Sequence, residues 1–208
     1  MSGTAERPLR ADAERSVRAI LEAAERVLAR DPAASMEQIA EASGLARTTV
    51  HRRFASRQAL LDALAASAVE QLARAIEDSN PETAPPLVVL HRATANVLRL
   101  KNAWSFALGQ HPDDDSPAAA TWQAIGERCT SLLVRARDEG LIDPDADLDW
   151  VRRVYYALLG EAAHGAAGHN APGLPPTPAD AADDPDTLAA RIVDTLLYGA
   201  APRSRRAS

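Results

Sequence analysis

The sequence is poor in residues that crosslink chains or ligate metals. Its 208 residues contain one cysteine, Cys129, so no disulfide can form within the chain. The five histidines are scattered. His164 and His169 lie outside the three- or four-residue spacing that places two side chains on one face of a helix. We therefore expect no metal site and no cofactor.

Long apolar runs are also lacking. No window of about 18 uninterrupted apolar residues occurs, so we expect no membrane-spanning helix. Residues 1–15 are polar and charged, unlike a secretory leader, which together with the lone cysteine favours a reducing cytoplasm. No segment alternates apolar and polar residues in the manner of a strand, so we expect no β-sheet.

Aromatic residues make up only 4% of the chain, whereas hydrophobic residues of all kinds make up 46%. The core must therefore consist mainly of alanine, leucine, valine and isoleucine, a composition that favours helix. The sequence predicts an all-α fold of about nine helices. It contains no serine–histidine–aspartate arrangement, phosphate loop or obvious pair of acid–base carboxylates, so we expect no enzyme. The alternative, an all-helical enzyme or small-molecule carrier, would need such a group.

The net charge of −6 is unevenly distributed along the chain. Residues 1–57 contain ten arginines and eight acidic residues, a net charge of +2, whereas the rest has a net charge of −8. Residues 44–57 contain four arginines and no acidic residue. A locally basic surface is what contact with nucleic-acid phosphates requires, although surface charge alone is weak support for it.

Apolar periodicity and helix-breaking residues divide the first part of the chain. The pattern predicts four helices, over residues 12–30, 35–42, 46–54 and 56–79. Pro32 and Pro81 follow the ends of the first and fourth helices, and Gly44 ends the second. Ser35 and Ser56 are placed to cap the second and fourth, because a serine hydroxyl accepts hydrogen bonds from free backbone N–H groups.

The remainder is also predicted to be helical. The expected helices cover residues 86–101, 103–109, 117–139, 148–168 and 186–199. Gly140 and Asp147 are placed to cap two of them. Polar or proline-rich composition predicts irregular segments over residues 110–116 and 170–184.

The third helix has the features of a helix that enters a DNA groove. At about 100° per residue, Ala46, Val50 and Phe54 share one inward face, and Thr48 and Arg52 lie opposite them. The outward face is thus narrow and polar, which suits a major groove about 12 Å wide. The first turn of such a helix usually touches base edges. The residues expected to contact bases are Arg47, Thr48, His51 and Arg52.

Other polar groups nearby are better placed for the DNA backbone, which positions a protein without specifying sequence. The residues expected to contact phosphate are Ser35, Thr49, Arg53 and Arg57. The alternative is an ordinary helical hairpin with solvent-facing arginines.

The run from Ile39 to Leu61 closely resembles the signature of the TetR family of transcription regulators. That signature has an Ile-Ala-x-x-x-Gly-Val core, a recognition helix ending in aromatic-x-x-Phe, and then Ser-Lys-Glu-x-Leu. The resemblance covers about residues 15–65, a third of the chain. His51 replaces the usual tyrosine, whose hydroxyl meets a phosphate, and Arg57-Gln58 replaces Lys-Glu. Histidine can donate the same bond, and the cation is retained.

The resemblance implies two domains. A three-helix DNA-binding domain with a helix-turn-helix is expected over residues 12–57, and a helical ligand-binding and dimerisation domain over residues 58–200. Residues 1–11 and 201–208 are expected to be flexible tails. The implied partners are double-stranded DNA with a palindromic operator, a second copy of the chain, and a small-molecule effector that releases a repressor from its operator. An alternative is a ligand-independent regulator whose second domain only dimerises.

Residues of the second domain are assigned on the same basis. Candidates for an effector pocket are His91, Trp104, Phe106, Trp122, Cys129 and Tyr155. Simple core packing is the alternative for each, and for Cys129 a redox sensor is a further one. Candidates for the dimer interface are Ala157, Gly160, Ala163, Ala167, Leu188, Ile192 and Leu196.

Overall fold

A computed structural model describes residues 6–109, 115–116, 118–165 and 184–199. Within these residues all regular structure is helical, in nine helices and no strands, which confirms the predicted all-α class. The helices are α1 Glu6–Leu28, α2 Met36–Ser43, α3 Arg47–Arg53, α4 Arg57–Glu77, α5 Pro86–Ala103, α6 Ser105–Leu108, α7 Ala119–Asp138, α8 Leu148–Gly165 and α9 Pro185–Tyr198.

The chain forms two compact units. The first consists of Met1–Val69 and Trp104–Ala119, and the second of Glu70–Ala103 and Ala120–Ser208. Helix α4 therefore contributes its first half to one unit and its second half to the other. The short helix α6 belongs to the first unit, although the chain enters the second unit both before and after it.

The first unit is built around the apolar stripe of α1. Ile20 and Leu28 are fully buried, together with Ile39 of α2, Val50 of α3 and Leu60 of α4. Apolar residues spaced at three, four and seven positions fall on one face of a helix, so each helix has a continuous surface to bury. Complete burial of a side chain of this size contributes about 1.5–3 kcal/mol relative to its exposure.

Helix α1 begins at Glu6, before the predicted start at residue 12, so residues 6–11 of the predicted tail are helical. Pro8 is compatible with this earlier start, because a proline in the first turn of a helix sacrifices no backbone hydrogen bond. After the helix ends at Leu28, the Asp31 carboxylate accepts a hydrogen bond from the backbone N–H of Ala33 and closes the turn that leads to α2.

The core of the second unit has two apolar clusters built from its long helices. One contains Val89 and Leu90 of α5, Leu133 of α7 and Val193 of α9. The other packs α5 and α9 against α8, with Tyr155 among its buried residues. Cys129 is a partly buried residue that packs against both clusters.

The predicted helix ends of this unit are close to those observed. Gly140 has a φ of 76°, and its backbone N–H donates to the carbonyl of Arg137. The backbone N–H of Leu141 donates to the carbonyl of Ala136. These two hydrogen bonds form the Schellman motif, which is common where a helix ends at a glycine. Asp147 caps α8, because its carboxylate accepts from the backbone N–H groups of the next turn. The predicted irregular segments at 110–116 and 170–184 lie mostly outside the described residues.

None of the helices described here combines the length and the apolar character that a membrane span requires.

Candidate functional site

Helix α2 and its turn are defined by local chemistry. The Ser35 hydroxyl accepts from the backbone N–H of Gln38, and the Gln38 side chain accepts from the backbone N–H of Ser35. This reciprocal capping box satisfies two donors that the start of a helix would otherwise leave free. At the other end, Gly44 adopts a φ of 68°, which glycine reaches without the strain that a side chain would add. The chain therefore turns sharply between α2 and α3.

Helix α3 buries one side and exposes the other. Val50 is 0% exposed and Phe54 is 6% exposed, which confirms the predicted inward positions of both. Thr48, His51 and Arg52 are exposed. The result is a short helix held by two apolar contacts, with a narrow polar surface facing away from the core.

The predicted inward position of Ala46 was wrong, because Ala46 is exposed. It is the residue before the first turn of α3, and its ψ of 138° is not helical. The angular step of a helix therefore does not extend back to it. The periodicity argument holds only for residues that have helical backbone angles.

The basic side chains around α3 differ in their surroundings. Arg47 is exposed and forms an ion pair with Glu37 of α2, with 2.5 Å between Nη2 and Oε1. Arg53 is half-buried, and its Nε is buried without a hydrogen-bond partner among the described residues. Thr49 is half-buried beside them. Exposed and half-buried donors thus lie on the same short helix.

Arg57, at the start of α4, bonds to the turn between α1 and α2. Its Nη2 donates to the carbonyl of Pro32 at 2.6 Å, and its Nε donates to the carbonyl of Ala34 at 3.4 Å. The guanidinium therefore connects two segments of the first unit. This structural role was not expected from the sequence, and the phosphate contact assigned to Arg57 stays a prediction.

We expect Arg57→Ala to destabilise the first unit by about 1–2 kcal/mol, because two hydrogen bonds from a charged donor are lost from a partly solvated site. The free energy of unfolding in urea is the measurement. Arg18→Ala removes the same charge from an exposed position of α1 and is the matched control. Equal stability of the two variants would show that the bonds to Pro32 and Ala34 contribute nothing.

In the second unit, a buried polar pair involves one of the predicted pocket residues. The Tyr155 hydroxyl lies 2.8 Å from the hydroxyl of Thr94, which in turn bonds to the carbonyl of Leu90. Burial raises the pKa of Tyr155, and the bond to Thr94 opposes that shift. The pair fixes the phenol between α5 and α8.

Cys129 lies near this pair and is half-buried. Burial raises the pKa of its thiol, against the opposing influence of a hydrogen bond with Tyr156 and the charge of Arg152. A thiol with a raised pKa holds its proton at neutral pH and is a poor nucleophile. This favours the role of a small apolar side chain over that of a redox sensor.

The other predicted pocket residues are divided between the two units. His91 and Trp122 are half-buried in the second unit, and Trp104 and Phe106 are half-buried in the first. The second unit therefore brings together Cys129 and Tyr155 but contains only part of the predicted set.

Comparison with known proteins settles the family. A model for bacterial regulatory proteins of the tetR family matches residues 20–64, which include α2, α3 and the first turns of α4. The HTH-type transcriptional repressor LfrR of Mycolicibacterium smegmatis is 36% identical over 160 residues, which are 76% of this chain and 82% of LfrR.

The chain belongs to the tetR family of bacterial regulatory proteins. This tetR-family regulator is accordingly a transcription regulator that binds DNA through its helix-turn-helix, formed by α2 and α3.

Solved structures extend the likeness of this tetR-family regulator to most of its length. The crystal structure of LfrR from Mycobacterium smegmatis in complex with proflavine has a TM-score of 0.66 and 30% identity, and the match covers 90% of this chain and 98% of that one. The regulator FadR from Bacillus subtilis in complex with stearoyl-CoA has a TM-score of 0.67 at 17% identity, covering 88% of this chain and 98% of that one. At such low identity the second likeness shows the fold alone.

The predicted dimer residues of the regulator have different environments. Ala157 of α8 is exposed, whereas Ile192 of α9 is 6% exposed and lies in the core of its own unit. Leu188 and Leu196 are half-buried, and so is Gly160. The side chain of Ala163 and the whole of Ala167 lie outside the described part of the chain.

Glu25 is a polar residue of the regulator that the sequence analysis missed. It is 3% exposed, and its carboxylate accepts from the backbone N–H of Phe106 at 2.7 Å and of Ala107 at 3.0 Å. Burial raises the pKa of Glu25, and the two backbone bonds oppose the shift. The signal was present in the sequence, because Glu25 lies four residues after Leu21 and three before Leu28, on the buried face of α1.

Proposed function

We propose that this tetR-family regulator is a repressor that binds a palindromic operator as a homodimer and leaves it when a small molecule binds the second unit. The observation that carries the proposal is the division of α3 into a buried side and an exposed polar side. Val50 and Phe54 hold the helix against the core, while Thr48, His51 and Arg52 are exposed. The segment that contains them, residues 44–57, has no acidic residue. A helix presented in this way can enter a major groove.

The polar residues of α3 and its neighbours have distinct roles in this proposal. Arg47 and Thr48 contact base edges from the first turn, where an arginine can pair with both acceptors of a guanine. Arg52 and His51 extend this contact along the exposed side. Contacts with phosphate are proposed for Ser35, Thr49, Arg53 and Arg57, whose donors fix the orientation of the protein on the duplex.

Dimerisation through α8 and α9 is proposed because a palindromic site requires a protein with twofold symmetry. The exposed surface of α8 supports this: Tyr156 is 42% exposed, and Ala157 beside it is exposed. A Cβ added at Gly160 would meet no described atom within 4 Å, so packing within the single chain does not require a glycine there. Close approach of a second helix would be one reason for it.

The second unit is proposed to bind the effector near Tyr155 and Cys129, where a buried phenol and a thiol lie among apolar side chains. His91 and Trp122 are proposed to contribute from the same unit. LfrR has been crystallised with proflavine, which makes proflavine the first compound to test on this regulator. This function requires no catalytic group. The regulator is proposed to act on chromosomal DNA in the cytoplasm.

The experiment measures release of DNA by ligand. Fluorescence anisotropy of a labelled operator duplex is followed as proflavine is added to the bound regulator. We expect the affinity for DNA to fall by about 5- to 150-fold, the usual size of coupling between two sites, and the same factor must separate the affinities for proflavine with and without DNA. Selective DNA binding that neither proflavine nor a panel of other compounds weakens would favour the ligand-independent alternative.

A further inference from the structure

The ion pair between Glu37 and Arg47 places an acidic group beside the exposed surface of α3. Glu37 lies in the first turn of α2, and Arg47 is the first residue of α3. Both side chains are substantially exposed, 48% for Glu37 and 65% for Arg47. A hydrogen bond from its own backbone N–H and the nearby charge of Arg47 lower the pKa of Glu37, so the carboxylate is charged at neutral pH.

Stability alone does not explain this pair. An exposed ion pair contributes about 0–1 kcal/mol, since solvent screens both charges and two long side chains lose freedom. A carboxylate near the DNA-facing surface also repels phosphates and so weakens binding to every duplex. Glu37 therefore lowers the affinity for DNA. The small gain in stability from the ion pair does not explain why a carboxylate lies at this position.

The pair leaves Arg47 able to contact a base. A guanidinium has five N–H donors, and the contact with Glu37 is made through Nη2. One hydrogen of Nη1 and the second hydrogen of Nη2 point the same way from the planar group, so they remain available for the two acceptors of a guanine edge. An arginine held on one side by a carboxylate has fewer orientations open to it, so less freedom is lost when it meets the correct base.

We infer that Glu37 is a positioning residue for sequence recognition, which orients Arg47 toward one base pair and lowers the affinity for unrelated DNA. The inference rests on the proposed recognition of an operator by α3. Glu37 should therefore raise the ratio of specific to non-specific affinity. This effect should arise at the base pair that Arg47 contacts.

The test compares Glu37→Ala and Glu37→Gln with the matched control Glu41→Ala, which removes the same charge from an exposed position of the same helix. Each full-length variant is titrated with the duplex that the wild type selects from a random library, with single-base-pair variants of that duplex, and with an unrelated duplex. Thermal unfolding of each variant checks that the fold is intact, which the exposure of both glutamates leads us to expect.

We expect Glu37→Ala to lower the specific-to-non-specific ratio by about 5- to 150-fold, the discrimination that one well-oriented arginine–guanine contact provides. Glu37→Gln keeps an acceptor for Arg47 and should lose less. Selectivity should be lost at one base pair, and Arg47→Ala should lose its discrimination at that same base pair. The double variant Glu37→Ala/Arg47→Ala should be no less selective than Arg47→Ala alone. Glu41→Ala should leave the ratio unchanged.

An unchanged ratio in Glu37→Ala, or an equal change in Glu41→Ala, would overturn the inference while leaving the proposed function intact. The proposed function fails at an earlier step: a wild type with no preference for any duplex overturns both.

Discussion

The double variant Arg47→Ala/Arg52→Ala should bind the selected operator at least about 30-fold more weakly than the wild type, because each lost base contact costs about 1–3 kcal/mol. Both side chains are exposed at the polar side of α3, so the fold should be unaffected. Affinity for an unrelated duplex should fall much less, because non-specific binding depends on phosphate contacts. Titrations of both duplexes at several salt concentrations measure the two effects separately.

The control for this variant is Arg18→Ala/Arg26→Ala, which removes two exposed arginines from α1 of the same unit. It should retain the preference of the wild type for the operator. If the two double variants lose the same affinity for both duplexes, net charge rather than base contact is responsible, and the role assigned to α3 is incorrect.

Glu25→Ala should have the largest effect on stability among substitutions of polar residues, about 2–4 kcal/mol. The variant leaves the backbone N–H groups of Phe106 and Ala107 without their acceptor, and a buried donor without a partner costs about 1–3 kcal/mol. The release of a desolvated carboxylate offsets part of the loss. Urea unfolding measures the total, and faster amide hydrogen exchange at Phe106 and Ala107 would locate the effect at α6.

Glu22→Ala is the control, since Glu22 is exposed on the same helix and carries the same charge. It should leave both the stability and the exchange rates near those of the wild type. Unchanged exchange at Phe106 and Ala107 in Glu25→Ala would mean that the carboxylate does not hold α6.

The stability that Glu25 confers should also depend on pH. Burial raises the pKa of Glu25 above its ordinary value of 4.5, so the folded chain holds the proton more tightly than the unfolded chain. The resulting stabilisation is fully present below the unfolded pKa and is lost as the pH rises through the folded pKa. The difference in unfolding free energy between the wild type and Glu25→Gln should therefore shrink as the pH rises from about 4.5.

The helices were predictable because each one buries a stripe of apolar residues that recur at helical spacing. Val50 and Phe54 followed from spacing alone, and Gly44, Gly140 and Asp147 from the backbone conformations or caps that helix ends need. These features depend on residues close together in sequence. Their physical causes can therefore be recognised before any tertiary contact is known.

The contacts between elements were not predictable in the same way. Arg57 bonds to carbonyls more than twenty positions away, and Glu25 bonds to N–H groups more than eighty positions away. The sequence shows that Glu25 lies on a buried face, but not which donors satisfy it. Likewise, the division of the predicted pocket residues between two units depends on tertiary packing, which no local pattern specifies.

The central claim is that α3 of this regulator selects a DNA sequence, and selection of duplexes from a random library by the purified full-length protein tests it most directly. We expect enrichment of an inverted repeat whose half-sites lie about one helical turn apart, with an affinity that decreases as salt increases. Recovery of no enriched sequence, with equal affinity for every duplex at all salt concentrations, would contradict the claim.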